Sequence, residues 1–519
     1  MNIGDTLLHN ARVRVNREAL VVGDTRLTWG DWNAAANRFA NALLDLGARH
    51  GDRVVLLLNN SVEFAVAYYG LSKIGCISAP VMPRSVSSEV GSIVRSLRAR
   101  FIIAEVGAVP VINEIRHDIP SVDAVIGVGE GHGLAIDFSG LVSAAPAHEP
   151  PVAVDPDDAL TIKFTSGTTG APKGCVRSHG NFIAAATGNL IEIPIDQEDT
   201  AIVAAPLAAG MAISQMTMLV MRGVRIIMLP RFEPGAFLDV LERERPSLVY
   251  LMDGMSRRLF AHPAFPQADF SSVRLYHPVN ARDVVERLHA HSTFHAGFSS
   301  GYASSEGGGL ISVKRPELYE AGLSDPKYAY LLDCLGRETL LNRIECLDDG
   351  LNPLPTNEIG ELAIRGPSVF QGYWERPEET EKVLRDGWLL TGDLAYRDAD
   401  GFIYLQGRKR DLIRTGNLSV YPAEVEPVLL ESGKVSIACV IGIPDQEWGE
   451  KVVACVISKS PCTEDELIQF CRQKLASYKC PKAVIFFDSL PTTDVGKIAK
   501  KELVKIVSDL QREPNGVPQ

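Results

Sequence analysis

Leu160-Thr-Ile-Lys-Phe-Thr-Ser-Gly-Thr-Thr-Gly-Ala-Pro-Lys-Gly174 is a mostly apolar run that breaks abruptly into hydroxyls, glycines and a lysine. Residues 160–164 read as a short strand, and the rest as a loop. Gly167, Gly170 and Gly174 let the backbone turn tightly and approach a ligand without a Cβ clash. Hydroxyls of Thr165, Ser166, Thr168 and Thr169, together with loop amides, can line a phosphate cradle, and Lys173 supplies a cation. A helical run from about residue 181 would turn its positive end toward the anion. The spacing is not that of GxxxxGK[ST]. The competing reading, a flexible Ser/Thr/Gly linker, leaves the closing Pro172-Lys-Gly174 without a reason.

Outward from this loop, strand-like runs at 54–58, 100–104, 201–205, 224–229 and 247–251 alternate with helical patterns, among them an amphipathic helix over 60–74. Such alternation predicts α/β architecture with largely parallel sheets. From about residue 340, short strands and turns crowd together at 358–365, 387–390 and 395–406, the last folding back at Asp398-Ala-Asp-Gly401. Beyond 411 come strands at 435–443, 451–458 and 483–487, and Thr463-Glu-Asp-Glu466 is a capping box that opens a helix to about 477. With 519 residues the chain is too long for one core. The expected architecture is a large N-terminal domain, 1–409, of stacked α/β sheets with a β-rich layer at about 335–409. A small α+β lid domain, 410–519, follows.

The formal net charge of −12 gives no support for a nucleic-acid partner. No apolar stretch approaches the roughly 20 residues of a membrane helix, and the first residues do not read as a secretory leader. Nine cysteines without a CxxC pair fit reduced, buried thiols, so a cytoplasmic location is expected.

The loop resembles the phosphate loop of the adenylate-forming enzymes: acyl-CoA synthetases, nonribosomal adenylation domains and firefly-type luciferases. Four further stretches resemble that family's motifs in the family's order. Gly301-Tyr-Ala-Ser-Ser-Glu306 is similar to its Tyr-Gly-x-Thr-Glu, with Ala303 and Ser305 as departures. The resemblance implies that Tyr302 packs on adenine, that Ser305 contacts phosphate or the substrate carboxylate, and that Glu306, with Thr165, holds Mg²⁺. Trp388-Leu-Leu-Thr-Gly-Asp393 implies that Asp393 accepts hydrogen bonds from the ribose hydroxyls. Gly407-Arg-Lys-Arg-Asp411 resembles the hinge, Arg408 reaching ribose or phosphate and Arg410 marking the swing point of a mobile lid. Pro491-Thr-Thr-Asp-Val-Gly-Lys497 resembles the lysine loop, Lys497 offsetting charge at the α-phosphate. Ser166, Gly167, Thr168, Thr169, Gly170 and Lys173 would then bind ATP.

The implied reaction is acid plus ATP to acyl-adenylate and pyrophosphate, then transfer to coenzyme A, most like a bacterial acyl-CoA ligase; a homodimer is compatible with the family. Where relatives read Ser-Gly-Gly-Glu-Asn, this chain has Thr415-Gly-Asn-Leu-Ser419. Gly416 and Asn417 would line the thiol tunnel, and the Cβ of Asn417 narrows it, which keeps open an adenylation-only enzyme serving a carrier protein, an amine or a partner ligase. Ala208 and Ala209 replace a bulky pair, and Gly301, Gly307 and Gly308 add small residues. They suggest a roomy pocket for a bulky apolar, polycyclic or aromatic acid. Asp253 would bind a polar group of that acid or cap the helix from Gly254.

Overall fold

The strand Arg53–Leu57 shows how this chain uses its apolar runs. Val54 and Leu56 belong to one buried cluster, Val55 and Leu57 to another. Successive strand residues face opposite sides, so a run apolar at every position needs cover on both faces. The computed structural model describes residues 1–165, 172–277, 281–415, 418–445, 448–492 and 498–510, with the backbone of 511–512.

Two sheets organise the first 300 residues. One has eight strands, in the order Gly372–Tyr373, Lys173–Ser178, Ala159–Thr165, Ile77–Pro80, Arg53–Leu57, Phe101–Glu105, Ala124–Val128, Ile136–Asp137. It is parallel except where Lys173–Ser178 runs antiparallel to both of its neighbours. The other has seven strands: Gly297–Phe298, Leu275–His277, Leu248–Tyr250, Thr200–Val203, Arg225–Met228, Glu18–Val22, Thr25–Thr28, antiparallel only at the last pair. The inner faces of both sheets share one core with the helices Trp29–Asp45, Val62–Lys73, His179–Glu192 and Met211–Arg222. Alternation holds in the second sheet too: Ala201 and Val203 join this core, while Ile202 joins the outer one.

The helix expected to be amphipathic over 60–74 is not. Val62–Lys73 is buried at every position from Phe64 onward, because it lies in the layer that both sheets cover. Its one cation, Lys73, is paired with Glu149 at 2.7 Å.

Contacts divide the chain into Met1–Ile344 with Ile364–Leu389, and Glu345–Ala363 with Leu390–Gln519. Strands of the β-rich layer therefore fall in both units. In the second unit, Ile403–Arg408 folds back on Trp388–Arg397 through a turn that Asp398 closes with bonds to the N–H groups of Asp400 and Phe402. The strands Val435–Asp445, Gly449–Ser458 and Ala483–Phe486 form the tail sheet with Ile413–Thr415 and Leu418–Val420. Val440, Val452 and Ala454 pack on one face, Ile441, Val453 and Cys455 on the other. The Thr463 capping box opens the helix Glu464–Lys474 as the spacing requires. All nine cysteines are unpaired and eight are buried, and no helix among the described residues is long and apolar enough to cross a membrane.

The N-terminal helix Ile3–Val13 docks through an imidazole. The Ile3 N–H donates to Nδ1 of His179 at 3.1 Å, and burial pushes the His179 pKa down to about 4. The neutral ring thus stabilises the fold fully above the usual histidine pKa near 6.5 and loses that contribution as pH falls toward 4. His179→Asn is expected to flatten the fall of unfolding free energy between pH 6.5 and 4.5 by about 1.4 kcal/mol per pH unit, read from urea denaturation at several pH values. An unchanged slope would refute the assignment.

Candidate functional site

The loop opens from a hairpin. Ala159–Thr165 pairs antiparallel with Lys173–Ser178, and Thr165 lies opposite Lys173, Lys163 opposite Cys175, Thr161 opposite Arg177. Directly opposed residues share a face, so Lys163, Lys173 and Arg177 hang from one side of the hairpin. Ile162 and Phe164 face the outer core. Ser166, Gly167, Thr168, Thr169 and Gly170 lie outside the described residues.

This geometry corrects the expected helix dipole. A six-residue strand that begins at Lys173 leads to the helix His179–Glu192, and it runs back along Ala159–Thr165. The helix N-terminus therefore sits at the far end of the hairpin from the loop. Its orphan amides are met by a Ser178–Asn181 capping box.

The three cations sit in different surroundings. Arg177 is buried; it donates to the Gly308 carbonyl at 2.8 Å and to Oγ of Ser214 at 3.3 Å, and its guanidinium lies 3.9 Å from the Phe182 ring centre. Burial pulls its pKa down to about 10. Lys163 donates to the Ala209 carbonyl beneath the turn 207–210, and burial lowers it to about 8 against an opposing pull from Glu306. A Cβ at Gly210, whose φ is +86°, would overlap the Lys163 side chain. Lys173 pairs with Glu379 and lies 5.1 Å from the Tyr373 ring centre.

Glu306 stands in the turn 305–308, between Ala303–Ser304 and Gly309–Leu310, with Ser305 beside it. Tyr373 donates to its Oε1 at 2.9 Å. Gly307 and Gly308 do not open a pocket wall. Gly308 has φ +94°, and a Cβ there would run into the Ser368 carbonyl; a Cβ on Gly307 would run into Ile311. Gly301 packs against the Ser312 backbone just as closely, yet it does line a cavity. Tyr302 is buried, its amide bonded to Ser312 and its carbonyl to Ile311.

That cavity, of ≈ 40 Å³, lies at the carboxyl ends of the strands of the seven-stranded sheet, where Tyr250 and His277 project beside Gln215 and Leu310. Open α/β sheets bind ligands at this edge. Ala208 and Ala209 do not line it; Ala208 is buried in the turn and Ala209 receives Lys163. Asp253 is not a cap. It is the first residue of Asp253–Phe260, whose cap position is Met252 without a side-chain bond; burial raises its carboxyl pKa.

In the second unit, Asp393 is buried and bonded to Nε of Arg408 at 2.8 Å, the two being register partners. Lys409 bridges Asp349 and Glu361, each at 2.9 Å, and Arg410 is near Asp411 at 3.4 Å. Gly416, Asn417 and Lys497 lie outside the described residues, but Thr492 and Ile498 pair across the base of the lysine segment.

Residues 7–374 match the model of the AMP-binding enzyme family, and residues 424–497 match the AMP-binding enzyme C-terminal domain. The chain belongs to the AMP-binding enzyme family. Within it, the chain falls among the adenylate-forming acyl-CoA ligases. This AMP-binding enzyme is 32% identical over 514 residues to a long-chain-fatty-acid–CoA ligase of Mycobacterium tuberculosis, covering 97% of this chain and 98% of that one. It is 32% identical over 505 residues to a feruloyl-CoA synthase of an Amycolatopsis species, covering 96% and 98%. An anthranilate CoA ligase solved with anthranoyl-AMP superposes with a TM-score of 0.87 at 26% identity, covering 99% of this chain and 98% of that one.

Sequence reasoning missed Lys163, Arg177 and Tyr373 in this AMP-binding enzyme. The cation at 163 in an otherwise apolar strand was the one legible signal; partners 46 and 131 residues away gave none. Because burial holds Lys163 below its ordinary pKa, the cost of its charge is full below about pH 8 and fades as pH rises toward 10.5. Lys163→Met should therefore gain stability over the parent at pH 7.5 and lose about 1–2 kcal/mol of that gain by pH 9.5. Equal gains at both pH values in urea unfolding would contradict a lowered Lys163 pKa.

Proposed function

We propose that the chain activates a largely apolar or aromatic carboxylic acid with ATP and passes the acyl group to coenzyme A. The supporting observation is the gathering of Lys163, Lys173 and Arg177 on one face of the strand pair Ala159–Thr165 and Lys173–Ser178, which residues 166–171 connect in sequence. Nucleophile and electrophile are both anionic, and such a reaction needs fixed positive charge more than covalent chemistry. The substrate carboxylate attacks the α-phosphorus, the bond to the bridging oxygen breaks and pyrophosphate leaves. The thiolate of coenzyme A then displaces AMP from the acyl carbon.

In this reading Ser166 to Gly170 and Lys173 hold the phosphates, Tyr302 and Asp393 the adenosine, and Lys497 meets the α-phosphate, while 410–519 swings as a lid about Arg410. Mg²⁺ fits the residues present, since it takes one or two carboxylates and completes its shell with substrate phosphates. Glu306 and Thr165 would hold it, and when bound it would neutralise phosphate charge. The apolar cavity and the aromatic acids named for two similar proteins favour an aromatic substrate. Asn417, in place of a glycine at the thiol tunnel, favours a second reading in which the adenylate goes to another acceptor.

Incubation with aromatic acids, ATP, Mg²⁺ and coenzyme A should give AMP, pyrophosphate and acyl-CoA. Acyl-AMP accumulating despite coenzyme A would favour the second reading, and no acid-dependent pyrophosphate would end both. Lys497→Ala should slow adenylation by 10²-fold or more with ATP binding retained; a near-parental pyrophosphate rate would exclude its role.

A further inference from the structure

The cavity at the sheet edge is apolar for most of its wall, yet three of its lining residues carry buried polar atoms with no hydrogen-bond partner among the described residues: Oη of Tyr250, Nδ1 of His277 and Oε1 of Gln215. Leaving such an atom unpaired forfeits its hydration with nothing in return. Most buried polar atoms in folded proteins are paired, so three orphans around one small void mark a site built for a polar guest.

The chemistry of the three is complementary. Tyr250 and His277 are register partners on adjacent parallel strands, their ring centres 5.3 Å apart, so both project from the same face. Met211 and Gln215, four residues apart on Met211–Arg222, share a helix face. One ring nitrogen of His277 is engaged with the Ser299 backbone, and burial holds the pKa at about 4, so the imidazole is neutral near pH 7 and Nδ1 is a lone-pair acceptor. The Tyr250 hydroxyl is a donor, and the Gln215 oxygen a second acceptor. No lining residue among the described ones is a cation, so a second carboxylate would be buried there without a counter-charge.

We propose that this cavity selects acids bearing a neutral hydroxyl on their apolar body, the hydroxyl oxygen accepting from Tyr250 and its proton going to His277 or Gln215. This rests on the acid-activating reading above and adds the substrate class. At ≈ 40 Å³ the void admits a small group; Met211 and Met252 at its wall, about 38% and 36% exposed, are unbranched chains able to swing aside for a ring.

The test compares 3-(4-hydroxyphenyl)propanoic acid with its 4-methoxy and unsubstituted forms, and 10-hydroxydecanoic with decanoic acid, by kcat/KM for pyrophosphate release. In at least one series the hydroxyl form should lead its analogues by about tenfold or more, because an analogue lacking the hydroxyl leaves the orphans unmet. Tyr250→Phe should pull that ratio toward one, and Gln215→Leu, on a different element, should lower it independently of any folding defect in the first variant. Acids activated with no hydroxyl preference, or a preference that survives both variants, overturn this inference alone. Absence of acid-dependent pyrophosphate with every acid overturns the activating reading and this one with it.

Discussion

The large unit depends on keeping cations out of water on one face of one hairpin. Removing a cation from water costs several kcal/mol, and the structure offsets that cost mainly with neutral partners. Lys163 takes the Ala209 carbonyl; Arg177 takes the Gly308 carbonyl, a serine hydroxyl and the face of Phe182. Neutral partners satisfy donors without cancelling charge. Lys173 alone is met by a carboxylate, Glu379. Lys163 and Arg177 therefore keep positive charge in a poorly solvated setting, where a charge acts more strongly on its surroundings than in water.

The same bonds set backbone. Arg177 grips the Gly308 carbonyl, and Gly308 lies so close to Ser368 that no side chain fits. The turn that presents Ser305 and Glu306 is thus tied to the hairpin by a charge-assisted bond and to 364–389 by close packing, and Tyr373 fixes the Glu306 carboxylate. Glycines here serve approach and positive φ, not empty space.

The cavity at the sheet edge obeys a different constraint. Parallel strands deliver their last residues to one edge, and alternation decides which of them face it. Tyr250 and His277 face the cavity side, whereas Val249 and Tyr276 face the outer core. Gly301 and Ala303 line the same void and lead directly into the turn of Glu306. The cavity wall and the Glu306 turn are thereby joined through a short piece of chain.

What the sequence determined by itself follows from local rules. Alternating apolar runs gave the α/β class, the Thr463 box gave a helix start, and five ordered motifs gave the family, since each depends on residues close in the chain. Residue order could not show that Lys173–Ser178 is a strand turning the next helix away from the loop, that 62–73 is buried all round, or that Ala209 and Gly308 serve Lys163 and Arg177. Nor could it gather Gln215, Tyr250 and His277 around one void. These are decided by contacts between distant segments, where burial, not spacing, sets what a side chain can do.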